Sequence, residues 1–269
     1  MKRRNLRGVN LGKSKSDLNG KPMYSIMTFR STNRKVSDVA SNQISHHVDG
    51  IDPIKASMSG EDGAVCGDCD FRGVWDDKKG KMVDRICYVN LGAGEYQKHI
   101  GYSNGNYPNI EDLDPCEKKF VNLSIERWIT RFGAYGDPMS NRKLFSKMLK
   151  MVRKNNGMHT GYTSMWRRKE SHFSQGALMA SVVSESDYNH ANDLGFRTYR
   201  TKLPGDKLFA GEANCPYPKV TCDECGLCSG TDNKLVSKFP KLQDKNLAID
   251  IHGIAPKTNA FRRYIDNGK

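Results

Sequence analysis

The stretch "CPYPKVTCDECGLCSG" constrains this chain more than any other, because it places Cys215, Cys222, Cys225 and Cys228 within fourteen residues. Two residues between cysteines let a tight turn aim both sulfurs at one centre. Three cysteines in succession wrap the backbone around an object wider than a single ion, a spacing shared with bacterial ferredoxins. Cys215 supplies a fourth ligand, and Pro216 follows it as a proline follows ferredoxin ligands. Four thiolates also make an ordinary structural zinc site, so spacing leaves a 4Fe-4S cluster and zinc both open.

A second group is looser. Cys66 and Cys69 form a C-x2-C pair, and Cys87 follows after seventeen intervening residues. These three could leave one metal position open, or take Cys116 after a further twenty-eight residues, although a solitary cysteine is the plainer reading of Cys116. The N-terminus "MKRRNLRGVNLGKSKSDLNGK" lacks the apolar stretch that completes a secretory signal. A reducing cytoplasm is therefore expected, where clustered cysteines are more often metal ligands than disulfides.

The 269 residues can bury one large core or two small ones. With 37% hydrophobic residues and a mean hydropathy of -0.69, no run reaches the 18 or so apolar residues of a membrane span. The net charge of +13 attracts polyanions, and nucleic acid or a nucleotide is the expected partner. Basic residues gather in the segment 1–22, in the tail 259–269, and along a predicted helix at Lys143, Lys147, Lys150, Arg153 and Lys154. A solvated helix face accounts for that last group equally well.

Along the chain, residues 23–120 read as a loop-rich cysteine region with one strand at Met23–Phe29. Residues 121–258 read as the main domain. Apolar runs predict strands at Trp128–Ala134, at "HTGYTSMW", and at Ala177–Ser184, Phe196–Thr201 and Asn246–Gly253. Asn141 caps a predicted helix whose apolar face is Leu144, Phe145, Met148, Leu149 and Val152, and Gly157 stops it. A polar helix, "ESDYNHANDLG", follows the third of these strands. Alternating strands and helices predict an α/β fold with a parallel sheet, as a partial or complete barrel carrying cysteine-rich metal-binding loops.

In such folds chemistry sits at the C-terminal strand ends. Those ends place Gly136, Asp137, Tyr162, Trp166 and His252 as candidates. Asp137 and His252 are the candidate acid–base residues, against the plainer readings of a turn cap and a satisfied core histidine. Trp166, followed by Arg167 and Arg168, combines a stacking ring with positive charge and is the local candidate for touching a nucleotide or single strand. A core tryptophan beside a solvated basic stretch is the competing reading. His46 and His47 are expected in a loop. The sequence contains no P-loop, no nucleophile elbow and no Rossmann fingerprint, and lacks the His-hydrophobe-His pair of a rolling-circle nickase.

At "CGDC…ICYVN", "RFGAYGDP", "HTGYTSMW" and "TCDECGLC" the chain resembles a family of uncharacterised bacteriophage proteins, one branch of which is labelled "gene product 88". In layout these are similar to radical S-adenosylmethionine enzymes. The resemblance covers roughly residues 23–253. It implies Cys66, Cys69 and Cys87 as one iron–sulfur or metal ligand set, and the four late cysteines as another. Arg131, Gly136 and Asp137 would line a central pocket. The C-x3-C-x2-C triad typical of radical enzymes is absent, which weighs against S-adenosylmethionine as a cofactor. The expectation is an iron–sulfur enzyme acting on a nucleotide or nucleic acid in the host cytoplasm. Its alternative is a zinc-stapled, non-catalytic nucleic-acid-binding protein of phage replication or host takeover.

Overall fold

The computed structural model describes residues 6–29, 35–36, 40–235, 238–251 and 255–266. Its central feature is a nine-stranded sheet. The strands are β1 (Gly8–Lys15), β2 (Pro22–Thr28), β3 (Asn42–Val48), β6 (Thr130–Tyr135), β7 (His159–Thr163), β8 (Met179–Val182), β9 (Thr198–Lys202), β10 (Glu212–Asn214) and β11 (Asn246–Asp250). A separate hairpin joins β4 (Val74–Asp76) to β5 (Lys81–Val83). The helices are α1 (Pro53–Ser59), α2 (Gly63–Cys66), α3 (Gln97–Ser103), α4 (Pro115–Arg127), α5 (Arg142–Lys154), α6 (Glu185–Asp193), α7 (Cys222–Cys225) and α8 (Ala255–Asp266).

The sheet order is β1-β2-β3-β6-β7-β8-β9-β11-β10. The first three strands pair antiparallel, and every pair from β3 to β10 is parallel. The fold is therefore mixed α/β with a large, mostly parallel sheet. No pairing joins β1 to β10 among the described residues, so a closed barrel is not shown. Strands from both sides of residue 121 share this sheet, β3 lying beside β6.

Helix α5 forms for the reasons its sequence displays. The Asn141 side chain accepts from the Leu144 N–H at 3.0 Å, and Leu144, Phe145, Met148, Leu149 and Val152 are all buried. They pack on Ile44, Phe132 and Leu178, with α4 contributing Val121 and Ile125. Each such side chain contributes roughly 1.5–3 kcal/mol through burial. The opposite face of the sheet carries Arg131, Thr160, Tyr162 and Tyr199. The alternation along β6 and β7 separates these from Phe132 and Gly161, which face α5.

Strand β3, "NQISHHV", is buried along its whole length and is where the sequence misleads most. Its polar side chains are satisfied rather than solvated. Asn42 donates to the carbonyls of Ser124 and Trp128 and to the Thr130 hydroxyl, and the Ser25 hydroxyl meets His46 Nδ1 at 2.8 Å. His46 and His47 are thus core strand residues on opposite faces, not loop residues.

Burial pushes the pKa of His46 down to about 3, and the neighbouring His47 adds to the effect. An unfolded histidine titrates near 6.5, so between these values the unfolded chain binds more protons than the folded one. Stability is then fully present above about pH 6.5 and falls as the pH drops towards about 3. Denaturant titrations at pH 7 and pH 4 should show the native chain losing more stability than His46→Gln. Equal losses would mean that His46 is not a buried neutral group.

Among the described residues no helix is long and apolar enough to cross a membrane.

Candidate metal centres

The early sulfur group is assembled from three loops. Cys66 closes α2, and the Cys69 N–H donates back to the Cys66 carbonyl at 3.2 Å, the tight turn that a C-x2-C pair predicts. Cys87 joins them because the Ile86 and Cys87 amides both donate to the Phe71 carbonyl, at 3.1 and 3.0 Å. Burial pushes the Cys66 thiol well up and the Cys69 thiol to about 12, and the other sulfurs of the group reinforce both shifts. Such thiols are protonated and poor nucleophiles at neutral pH; a bound cation is what makes them thiolates.

Charge around this group is arranged to suit. Asp62 is fully buried between two guanidiniums: Arg72 Nη2 and Arg85 Nη1 each lie 2.8 Å from its carboxylate. Two arginines and one aspartate leave one positive charge, which offsets the single negative charge of three thiolates around a divalent ion. Arg85 acts on Cys66 and Cys87, and its buried Nη2 has no hydrogen-bond partner. An unpaired buried donor is costly unless something accepts from it, and a metal-bound sulfur would. Cys116 is exposed on α4.

The early loop is clamped onto the strand ends that the sequence singled out. The Asp137 N–H donates to the Val65 carbonyl at 2.6 Å, and the Ser164 hydroxyl bonds the Cys69 sulfur. Gly136, at φ 78°, lies so close that a Cβ would stand 2.9 Å from His46 Cβ and 3.2 Å from the Val65 carbonyl oxygen. Arg168 grips Asp68 through two bonds of 2.7 and 2.8 Å, holding the Asp68 carboxyl below its ordinary range.

The late group is built against the inner face of the sheet. Cys215 follows β10 and donates to the Ala248 carbonyl at 2.7 Å. Thr221 and Glu224 form a capping box on α7, which carries Cys222 and Cys225, and Gly226 at φ 67° turns the chain towards Cys228. The Cys228 carbonyl then accepts from the Gly161 N–H of β7 at 3.1 Å. All four cysteines line one recess, together with Lys35, Thr160, Tyr162 and Tyr217. About 360 Å³ there is free of protein atoms, part of it open to solvent.

Burial pushes Cys222 up to about 11 and Cys225 and Cys228 to about 12. Lys35 and Arg131 oppose the shift at Cys222, and the Tyr162 hydroxyl bonds the Cys228 sulfur. Lys35 Nζ lies 2.9 Å from the Tyr199 hydroxyl and 5.5 Å from the Tyr217 ring centre. Its backbone carbonyl accepts from the Cys222 N–H at 2.9 Å. Two positive side chains match the two negative charges of a four-thiolate centre, whether zinc or a 4Fe-4S cluster. The buried Thr160 hydroxyl in this recess has no partner.

All eight cysteines are described, and none is in a disulfide. Among the described residues no group of three or more Cys, His, Asp or Glu side chains is drawn together as a metal-ion site. The late thiols ring a space instead of closing on a point.

The remaining candidates fall differently. Asp137 is buried and works as a tie: its carboxylate accepts from the amides of Met139 and Ser164 at 2.9 and 2.7 Å and from the Thr163 hydroxyl at 2.9 Å. Burial raises its pKa to about 6 against those bonds. Its geometry is that of a cap joining β6 to β7. Trp166 is completely buried, with Nε1 donating to the Ser181 carbonyl at 3.0 Å, so its ring is not open to stack on a base. The Arg167 guanidinium covers that ring 4.1 Å from its centre and pairs with Asp187. Arg131 and Tyr162 belong to the late recess. His252 lies outside the described residues.

Sequence reasoning missed Lys35, Asp62, Arg85, Ser164 and Tyr199, and a buried network in which His47 Nε2 lies 3.3 Å from Glu95 while Glu95 pairs with Lys98 at 2.8 Å. Only the alternation of "FRTYRT" could have placed Tyr199. No family model, curated protein or solved structure matches the chain.

Proposed function

We propose that this chain is a phage-type, cysteine-ligated metalloprotein with two centres: an iron–sulfur cluster on Cys215, Cys222, Cys225 and Cys228, and a metal or cluster on Cys66, Cys69 and Cys87. The observation that carries this reading is the late recess, into which four thiols from two segments converge beside two compensating cations. The donor set fits: thiols that are inert alone, unpaired donors at Arg85 and Thr160, and matched charge. The breadth of the ring, and the absence of a close three-ligand group, favour a cluster over a single ion.

When bound, a 4Fe-4S group supplies one-electron transfer. The chain's own residues orient and tune it. Tyr162 donates to a ligand sulfur, Lys35 and Arg131 offset charge, and Met179, Leu227 and Leu247 exclude water. The early group lies at the C-terminal ends of β6 and β7, where a substrate meets an α/β sheet, here read as an open barrel-like wall. With three thiols it leaves a position for substrate, and S-adenosylmethionine is one occupant that position would admit. The excess of positive charge supports a nucleotide or nucleic acid as that substrate, in a reducing cytoplasm.

The second reading is a zinc-stapled nucleic-acid-binding protein, favoured by the charge of +13 and needing no open position. Anaerobic purification separates the two. Brown protein with broad visible absorbance, iron and acid-labile sulfide is the expected result. Colourless protein with stoichiometric zinc overturns the enzyme in favour of the binding module. Binding to DNA across a salt series tests the basic surface, since phosphate contacts give a steep loss of affinity with salt.

A further inference from the structure

We infer that the two sulfur groups form an electron-transfer pair coupled through Tyr162, Thr163 and Ser164, an inference that rests on reading both groups as metal centres. Three consecutive residues touch both. At one end the Gly161 N–H donates to the Cys228 carbonyl at 3.1 Å, and the Tyr162 hydroxyl bonds the Cys228 sulfur. At the other the Ser164 hydroxyl bonds the Cys69 sulfur. Residues two apart on a strand share a side and stand about 7 Å apart. Independent structural staples would have no reason to hang on the same strand end.

The connection is also held rigid. Thr163, between the two, donates to Asp137 at 2.9 Å and accepts from the Met165 N–H at 2.9 Å, while the Ser164 amide donates to Asp137 at 2.7 Å. Asp137, fixed in turn to Val65, ties the loop of the early cysteines to the same point. This gives Asp137 a positioning role in place of an acid–base one. The Tyr162 ring lies 4.3 Å from that of Tyr199, which extends the contact across the late recess towards Lys35.

The direction of flow follows from exposure. Cys215 and Cys222 are partly exposed at the mouth of the late recess, so a one-electron donor of the ferredoxin or flavodoxin class can reduce that centre by one electron. The late centre is then reoxidised as the early one is reduced by the same electron. No bond forms or breaks in this transfer, and all seven thiolates stay bound. The electron leaves the early centre to the substrate at the strand ends.

The test uses the whole chain, purified anaerobically and titrated with dithionite, with electron paramagnetic resonance at two microwave frequencies. Two centres are expected, with splittings at full reduction that keep the same width in field units at both frequencies, the mark of interacting spins. Tyr162→Phe and Ser164→Ala retain every thiol. Hydrogen bonds to sulfur raise a cluster's potential, so each variant should lower the midpoint of one centre, Tyr162→Phe the late and Ser164→Ala the early. Two centres whose reduced spectrum is a simple sum overturn the coupling and leave the metalloprotein reading standing. Midpoints unmoved in both variants remove β7 as the connection and overturn the inference likewise. A single centre, or colourless zinc protein, overturns the pair together with the reading beneath it.

Discussion

Cys225→Ser is expected to lose the colour and metal of the late centre and most of the stability of the surrounding segment. Cys225 is the middle ligand of C-x2-C-x2-C, 7% exposed, and packs with Met179, Tyr199, Leu227, Leu247 and Ile249. The late loop has little regular structure of its own: α7 is four residues long, and its ties to the sheet are single backbone bonds to Ala248, Gly161 and Lys35. Thiolate–metal binding contributes on the order of 10 kcal/mol in small metal-stapled folds, far above what those few bonds supply at about 1 kcal/mol each. The control is Cys116→Ser, which alters an exposed thiol and should change neither metal content nor melting temperature. Metal content and melting temperature measured side by side on the two variants decide the matter. Native values of both in Cys225→Ser would show that the late thiols hold nothing.

The sequence disclosed those elements whose stability is local. Helix α5 carried its cap, its apolar face and its stop within one stretch, and the runs that became β7, β8, β9 and β11 are apolar enough to read as strands. The same holds for Cys66 with Cys69 and for the late cluster, where spacing alone brings sulfurs together. What stayed hidden depends on partners far along the chain. Strand β3 reads as polar because its burial is made good by Ser124, Trp128, Thr130 and Ser25, none of them near in sequence. Trp166 looked like a stacking surface beside basic residues, yet its indole finds the Ser181 carbonyl and Arg167 turns to Asp187. Lys35, far from any cysteine in sequence, reaches the late recess through Tyr199. Periodicity reports which face is apolar; it carries no information about which buried polar group meets which.

Asp62→Ala is expected to destabilise the protein by about 3–5 kcal/mol, the cost of removing one partner from a buried charge cluster. Its carboxylate is inaccessible to solvent and serves two arginines at once. Arg72 Nε and Nη2 reach Oδ1 at 3.0 and 2.8 Å, and Arg85 Nη1 reaches Oδ2 at 2.8 Å. Arg72 also donates to the carbonyls of Gly60 and Gly67, at 2.8 and 3.1 Å, so the same charge organises the loop that presents Cys66. Without Asp62 two guanidiniums face each other with no anion between them, and the loop loses its anchor. Removing Arg72 as well, in Asp62→Ala with Arg72→Met, takes out the repulsion and should recover part of the loss, because a buried pair replaced by apolar groups is often near neutral. Arg85 then remains beside the early sulfurs, where thiolates can pair with it. Denaturant titrations of the two single variants and the double variant give the coupling directly. A cost below about 1 kcal/mol for Asp62→Ala would be the value of an exposed ion pair, and would mean that this carboxylate does not hold the early centre together.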